Sequence, residues 1–205
     1  VGSGPAASRL AINKALTQKF LAANGIKVPH FFRLTSDKKN DLKTIIQSLS
    51  FPVVVKPACQ GSSIGVSLVR TSEELMPAIE LAFSYDEEIL IEEYICGREM
   101  TVGILDQRAL PVIQVVPKSA FFDFTAKYGG TTEYKIPAPI PEDVAQAMQE
   151  AALKVHTTLG CRHFSRVDFM LDEANHFYVL EINTVPGFTE MSLLPKAARF
   201  VGISF

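Results

Sequence analysis

Ser165-Arg-Val-Asp-Phe-Met-Leu-Asp172, then Glu173-Ala-Asn-His176, then Phe177-Tyr-Val-Leu-Glu-Ile-Asn-Thr184 has the pattern of two strands joined by a short polar loop. Side chains alternate along a strand, so Arg166 and Asp168 share one face, and Val167, Phe169 and Leu171 take the other. In the second strand Glu181 and Asn183 share a face, with Tyr178, Leu180 and Ile182 opposite. A loop of Glu173 to His176 pairs Asp172 with Phe177, which sets Asp168 against Glu181 and Arg166 against Asn183. Two carboxylates so placed have Cβ atoms about 5 Å apart and repel each other. A shared proton, Arg166 or a bound cation must neutralise them. Two carboxylates with an amide oxygen form an all-oxygen set, which suits Mg²⁺ or Mn²⁺ rather than zinc. The plainer alternative is a solvated strand face with Arg166 as its only counter-charge.

Working outward, a helix is expected from about Ser8 to Asn24-Gly25, with Ile12, Leu16, Phe20 and Ala23 as its apolar stripe and Lys14 off it. A strand at His30 to Leu34 and a helix from about Asp37 to Leu49 follow, then a buried β-branched strand, Phe51 to Pro57. Val66 to Arg70 alternates like a strand, and Ser72-Glu-Glu opens another helix. Glu88 to Glu93, Arg98 to Leu105 and Leu110 to Val116 are expected as consecutive antiparallel strands. Ser119 to Thr132 has the composition of a surface loop or lid, and a long helix spans about Pro141 to Leu159. His30, His156 and His176 have no metal-ligand spacing and are expected at the surface or on edges. Helices and strands mix without strict βαβ alternation, so the fold class expected is α+β with mainly antiparallel sheets.

The 205 residues, 47% apolar with net charge −2, can bury a sizeable core and exclude a disordered tail. That charge gives no basic field for nucleic acid, and no apolar run approaches the ~18 residues of a membrane span. Cys59, Cys96 and Cys161 form no C-x-x-C pair, which points to a reducing, cytoplasmic setting. Residue 1 is Val, so the chain is expected to be part of a longer one.

Between two expected strands lies Lys56-Pro-Ala-Cys-Gln-Gly-Ser-Ser-Ile-Gly65. Gly61 and Gly65 permit positive φ and close approach of backbone N–H groups to an anion, and Lys56 supplies a point charge for phosphate. This is no P-loop, because G-K-[ST] is missing. Gly61-Ser-Ser-Ile-Gly65 also satisfies G-x-S-x-G, which would make Ser63 a hydrolase nucleophile. That elbow demands strand, turn, then helix, whereas a strand is expected after Gly65. Gly2-Ser-Gly4 imitates a dinucleotide fingerprint but no strand precedes it.

Taken together, Val55-Lys-Pro57 with Gln60 to Gly65, Leu90-Ile-Glu-Glu-Tyr94 with Gly97-Arg-Glu99, Ala126-Lys-Tyr128, Arg166-Val-Asp168 and Glu181 to Thr189 resemble the ATP-grasp superfamily, and within it the D-alanine–D-alanine ligases. The likeness covers nearly the whole chain in the family's order. It implies ATP between two lobes, 1–91 and 92–205, the second truncated at its end. Lys14 and Lys56 match phosphate-contacting lysines, Glu92, Glu93, Tyr94 and Ile95 the adenine-contacting hinge, Glu99 the ribose carboxylate, and Lys127 a lid lysine. Asp168, Glu181 and Asn183 match the ligands of two Mg²⁺ or Mn²⁺ ions.

The same resemblance assigns oxyanion stabilisation to Arg166 and the Gly187 N–H, and the grip on the second substrate's carboxylate to Ser192 and Leu193. Ser62 and Tyr128 match a hydrogen-bonded pair joining glycine loop to lid, and Tyr128 favours an amine acceptor over a hydroxy acid. The implied activity joins two D-alanines through a D-alanyl phosphate for peptidoglycan precursors, with a homodimer left open. Another carboxylate–amine or D-alanine–D-lactate ligase, and a non-catalytic nucleotide-binding module, are the alternatives. Taken singly, Lys14 could be a solvated helix position, Glu99 an exposed strand residue and Tyr128 a surface tyrosine. Two departures stand out: His163 replaces a small residue, and the family's N-terminal domain is missing, so the chain alone is expected not to turn over.

Overall fold

A computed structural model describes residues 1–37, 42–116 and 132–205. Two antiparallel sheets dominate. The first has order β1-β4-β2-β3, made of β1 (Phe31–Thr35), β2 (Val53–Pro57), β3 (Ser67–Val69) and β4 (Glu88–Glu93). The second runs β10-β9-β5-β7-β8, with a short β6 paired to β5. Its members are β5 (Gly97–Leu105), β6 (Arg108–Ala109), β7 (Ile113–Val116), β8 (Glu133–Lys135), β9 (Phe164–Asp172) and β10 (Phe177–Asn183). The α+β class with antiparallel sheets holds. Glu88 to Glu93 and the strand after it are not neighbours, however. β4 pairs with β1 and β2 while β5 pairs with β7 and β9, so the link Tyr94-Ile95-Cys96 carries the chain from one sheet to the other.

The first helix is also not continuous. It divides into α1 (Pro5–Ile12) and α2 (Lys14–Ala23) at Asn13, whose backbone is extended (φ −92°, ψ 103°) and whose side chain caps α2 by accepting from the Leu16 N–H. The break changes the phase between the two halves. Ile12 and Leu16 of the expected stripe are exposed and Phe20 sits at the edge of exposure, whereas Ala7, Ala11, Ala15, Thr17, Gln18 and Leu21 are buried. These small residues and Leu21 pack largely with the core of the six-stranded sheet, beside Met100, Val102, Phe169 and Ile182. Its other cover is α5 (Glu142–Thr158), which contributes Met148, Ala152 and Val155. Fully burying a side chain such as Phe169 or Met100 contributes about 1.5–3 kcal/mol. α3 (Leu42–Ser48) and α4 (Ser72–Phe83) supply Ile45, Leu75, Ile79 and Ala82 to the separate core of the four-stranded sheet.

Besides β6, which precedes the strand expected from Leu110, two further elements were not expected. β8 extends the second sheet at its edge, and α6 (Leu193–Phe200) packs Leu194, Ala197 and Ala198 against Leu110 and Ile113. Gly103 on β5 allows that approach, because a Cβ there would meet Leu194 Cδ1 at 2.5 Å. His163 takes a left-handed φ of 62° at the start of β9, and its ring accepts from the Gly2 N–H. His156 is fully buried in α5, contrary to the surface position expected, because its neighbours Ala152 and Val155 belong to the core face. Among the described residues no helix is long and apolar enough to cross a membrane. The three cysteines are free.

Candidate active site

The hairpin register combines the expected pairing with a correction. Asp168 faces Glu181, Val167 faces Ile182 and Arg166 faces Asn183, as the alternation predicts. Nearer the loop Phe177 pairs with Leu171, not Asp172, and a bulge between Val179 and Glu181 absorbs the difference. The bulge also changes which side chains are inward. Val179 and Ile182 are buried, while Tyr178 and Leu180, expected to share a face with Ile182, are half-buried. Without that extra residue the loop-end register would put Glu181 opposite Val167 and turn it away from Asp168.

Asp168, only 8% exposed, is held on three sides. Arg166 Nε donates to its Oδ1 at 2.8 Å and Nη2 to its Oδ2 at 2.7 Å, while the Asn183 amide donates to Oδ2 at 3.1 Å and lies 3.4 Å from Glu181 Oε1. Burial alone would lower the Arg166 guanidinium. The charges of Asp168, Glu181 and Glu99, with the Asp168 hydrogen bonds, outweigh it and raise the group above the ordinary arginine value. Among the described residues no three His, Cys, Asp or Glu side chains are placed to share a metal. A divalent ion here therefore needs Asn183 as its third donor. A half-turn of that carboxamide exchanges nitrogen for oxygen and completes an oxygen set with Asp168 and Glu181, so the residues fit Mg²⁺ or Mn²⁺.

Two cavities meet at this wall. The larger, about 820 Å³, is lined by Arg166, Asn183, Gly187, Ser192 and Leu193, and the smaller, about 180 Å³, by Lys56 and the run Glu92-Glu93-Tyr94-Ile95. Lys14, Gln60, Gly61, Ser62, Glu99, Asp168 and Glu181 line both. Lys14 is therefore no solvated helix position. The capped break at Asn13 aims it into the cleft, where Nζ donates to the Gln60 carbonyl at 2.5 Å and stands 3.5 Å from Glu181 Oε2. Lys56 is buried against Glu92, Nζ to Oε1 at 2.5 Å, and Gln18 donates to the other Glu92 oxygen at 3.0 Å. Glu92 is thus paired inside the protein, while Glu93 is exposed beside His30.

In the glycine-rich loop the left-handed residues are Ser62 (φ 55°), Ser63 (φ 59°) and Gly65 (φ 70°), so Gly61 is not used as expected. At Gly65 a Cβ would meet the Tyr85 ring at 2.7 Å. The loop then enters β3, antiparallel to β2, and this strand–loop–strand geometry removes the Ser63 hydrolase reading. At the far end of the larger cavity Ser192 Oγ accepts from the Thr189 N–H at 3.1 Å and lies beside Gly187. Lys127 and Tyr128 lie outside the described residues. Thr101, whose hydroxyl is 2.6 Å from Asp168 Oδ1, and Gln18 were missed. Their signals, a threonine facing inward from β5 and a glutamine one turn after Lys14, look like ordinary strand and helix positions.

Residues 20–205 match the family model described as D-ala D-ala ligase C-terminus. The D-alanine–D-alanine ligase of Syntrophotalea carbinolica is 48% identical over the whole chain, and that of Geobacter sulfurreducens 43%. The chain spans 66% and 65% of those relatives' lengths. Among solved structures, the VanG D-Ala:D-Ser ligase of Enterococcus faecalis superposes with TM-score 0.91 at 34% identity, covering 100% of this chain and 61% of that one. The Bacillus anthracis D-alanine–D-alanine ligase complexed with ATP superposes with TM-score 0.86 at 33% identity, covering 99% and 65%. The antiparallel sheets, the cleft between them and these matches lead to one conclusion: the chain belongs to the D-alanine–D-alanine ligase family, within the ATP-grasp fold, and corresponds to that family's C-terminal part.

Proposed function

We propose that this chain is the nucleotide- and acceptor-binding part of an ATP-dependent ligase that joins two D-alanines for peptidoglycan precursors in the cytoplasm. Two lobes meeting near Ile91 would hold ATP between them, with adenine in the smaller cavity beside Glu92 to Ile95 and the ribose near Glu99. The carboxylate of the first D-alanine attacks the γ-phosphorus, ADP leaves, and an acyl phosphate forms. The amine of the second D-alanine attacks that carbonyl, and phosphate departs as the amine loses its proton.

In this reading Lys14 and Lys56 hold phosphate oxygens, and Arg166 with the Gly187 N–H receives the tetrahedral oxyanion. Ser192 and Leu193 hold the acceptor carboxylate, Ser62 of the glycine loop pairs with Tyr128 of the lid, and Lys127 reaches the nucleotide from that lid. Two divalent ions on Asp168, Glu181 and Asn183 would neutralise charge on the transferring phosphoryl group. The observation that carries the reading is the facing pair Asp168–Glu181 on the wall common to both cavities, with Lys14 above it.

The test is ADP release by the whole ligase with D-alanine, D-lactate and D-serine as competing acceptors. Release that requires D-alanine, with D-alanine the best acceptor, supports the reading. D-serine as the better acceptor would move the chain toward the specificity of its VanG neighbour. ATP binding with no acceptor-dependent release would make it a binding module.

A further inference from the structure

Thr101 lies at the centre of β5, directly opposite Asp168 of β9, and Asp168 in turn faces Glu181 of β10. The three side chains form one row across three adjacent strands. Thr101 is 2% exposed, and its Oγ is 2.6 Å from Asp168 Oδ1 and 3.2 Å from the Val167 carbonyl. A hydroxyl has one proton, and the shorter contact, to the ionised acceptor, takes it.

The two oxygens of Asp168 therefore have different surroundings. Oδ1 is tied toward β5 by Thr101 and by Arg166 Nε. Oδ2 is turned toward β10, where the Asn183 amide spans it and Glu181 Oε1. The two oxygens of a carboxylate are equivalent, so what has to be held is the plane and tilt of the group. Arg166 grips both oxygens along one edge, and Thr101 adds a further donor from the side away from Glu181, which fixes that tilt.

We propose that Thr101 is a positioning residue for the cation site: by holding Asp168 Oδ1 it presents Oδ2, already oriented, to a divalent ion shared with Glu181 and Asn183. This rests on the ligase reading above. Outer hydrogen bonds to metal-binding carboxylates commonly carry a factor of about 10–100 in metal affinity. Thr101→Val removes the hydroxyl while keeping the β-branched shape that a strand accepts. Thr101→Ser keeps the hydroxyl and loses the methyl.

In the whole ligase, Mn²⁺ alone is titrated and the free ion counted by electron paramagnetic resonance. Alongside it, the Mn²⁺ concentration giving half-maximal ADP release is measured. Thr101→Val is expected to weaken Mn²⁺ binding about tenfold and raise the half-maximal concentration by the same factor, with Thr101→Ser close to wild type. Thr101→Ala carries the same expectation where valine is not tolerated. Wild-type affinity in Thr101→Val, or equal defects in the valine and serine variants, overturns the assignment and leaves the ligase reading intact. Wild-type protein that binds no Mn²⁺ and releases no ADP with D-alanine overturns both.

Discussion

On either side of the cleft the protein buries a charged cluster, and the two are built on opposite terms. On the four-stranded sheet Lys56 and Glu92 form a one-to-one pair, their side chains 9% and 5% exposed, with Gln18 on the remaining carboxylate oxygen. On the six-stranded sheet three carboxylates, Asp168, Glu181 and Glu99, surround Arg166, and Lys14 reaches Glu181 only at 3.5 Å. The first cluster closes its own account of charge; among the described residues the second sets three carboxylates against Arg166 and Lys14 beside the larger cavity. A balanced buried pair needs no external counter-charge, and the ammonium of Lys56 keeps further donors with which to meet phosphate. An acidic excess held rigidly on neighbouring strands creates a demand that an external cation or cationic group can meet.

The sharpest way to break this contrast is Asp168→Asn. It keeps size but removes the anion and replaces one accepting oxygen by a donating nitrogen, and ADP release is expected to fall about a thousandfold or more, since metal-ion stabilisation of transferring charge amounts to several kcal/mol. The measurement is turnover with D-alanine alongside circular dichroism. A folded Asp168→Asn enzyme within tenfold of wild type would show that the excess charge is not catalytic.

The other cluster should answer in stability. Lys56→Met leaves Glu92 buried with no cation and should cost about 3–5 kcal/mol in urea unfolding. The double variant Lys56→Met/Glu92→Leu should recover most of that, although nucleotide binding would suffer in both. If the single substitution costs under about 1 kcal/mol, the pair is better solvated than its burial indicates. Gln18→Leu sharpens the same point at smaller scale, with about 1.5–3 kcal/mol expected for loss of its hydrogen bond to the buried Glu92 charge.

What could be read in advance follows the same division. Period-two alternation with apolar flanks places Val167, Phe169 and Leu171 inward, and Arg166 and Asp168 outward, because any other register exposes the core. The bulge before Glu181 was illegible. Either loop register satisfies the turn, and only packing of Val179 and Ile182 against the core selects the irregular one. The break at Asn13 was hidden for a related reason: Ile12, Leu16 and Phe20 make a better stripe on paper than Ala7, Ala11 and Ala15, whose small size lets helix and sheet approach. Strand order was beyond local pattern as well, since the chain around Tyr94 contains nothing that says β4 and β5 must part. Thr101 and Gln18 act through partners distant in sequence, and single-residue chemistry does not disclose such partners.

A third buried polar group gives the mildest test, because it carries no charge at all in the comparison above. His156 is fully buried in α5, with Nδ1 2.7 Å from Ser165 Oγ, and no side-chain or backbone partner meets Nε2 among the described residues. Burial lowers its pKa from the ordinary imidazole value. Above that ordinary value the ring is neutral in both folded and unfolded chains, and its stabilising contribution is complete. As pH falls through the ordinary value toward the depressed folded one, the unfolded chain takes up a proton that the native protein refuses, and stability is lost. The urea midpoint should therefore decline between about pH 7.5 and pH 5.5 in wild type and decline less in His156→Gln. An equally steep decline in His156→Gln would show that the acid sensitivity does not come from this ring, and that its burial costs the native state nothing in this range.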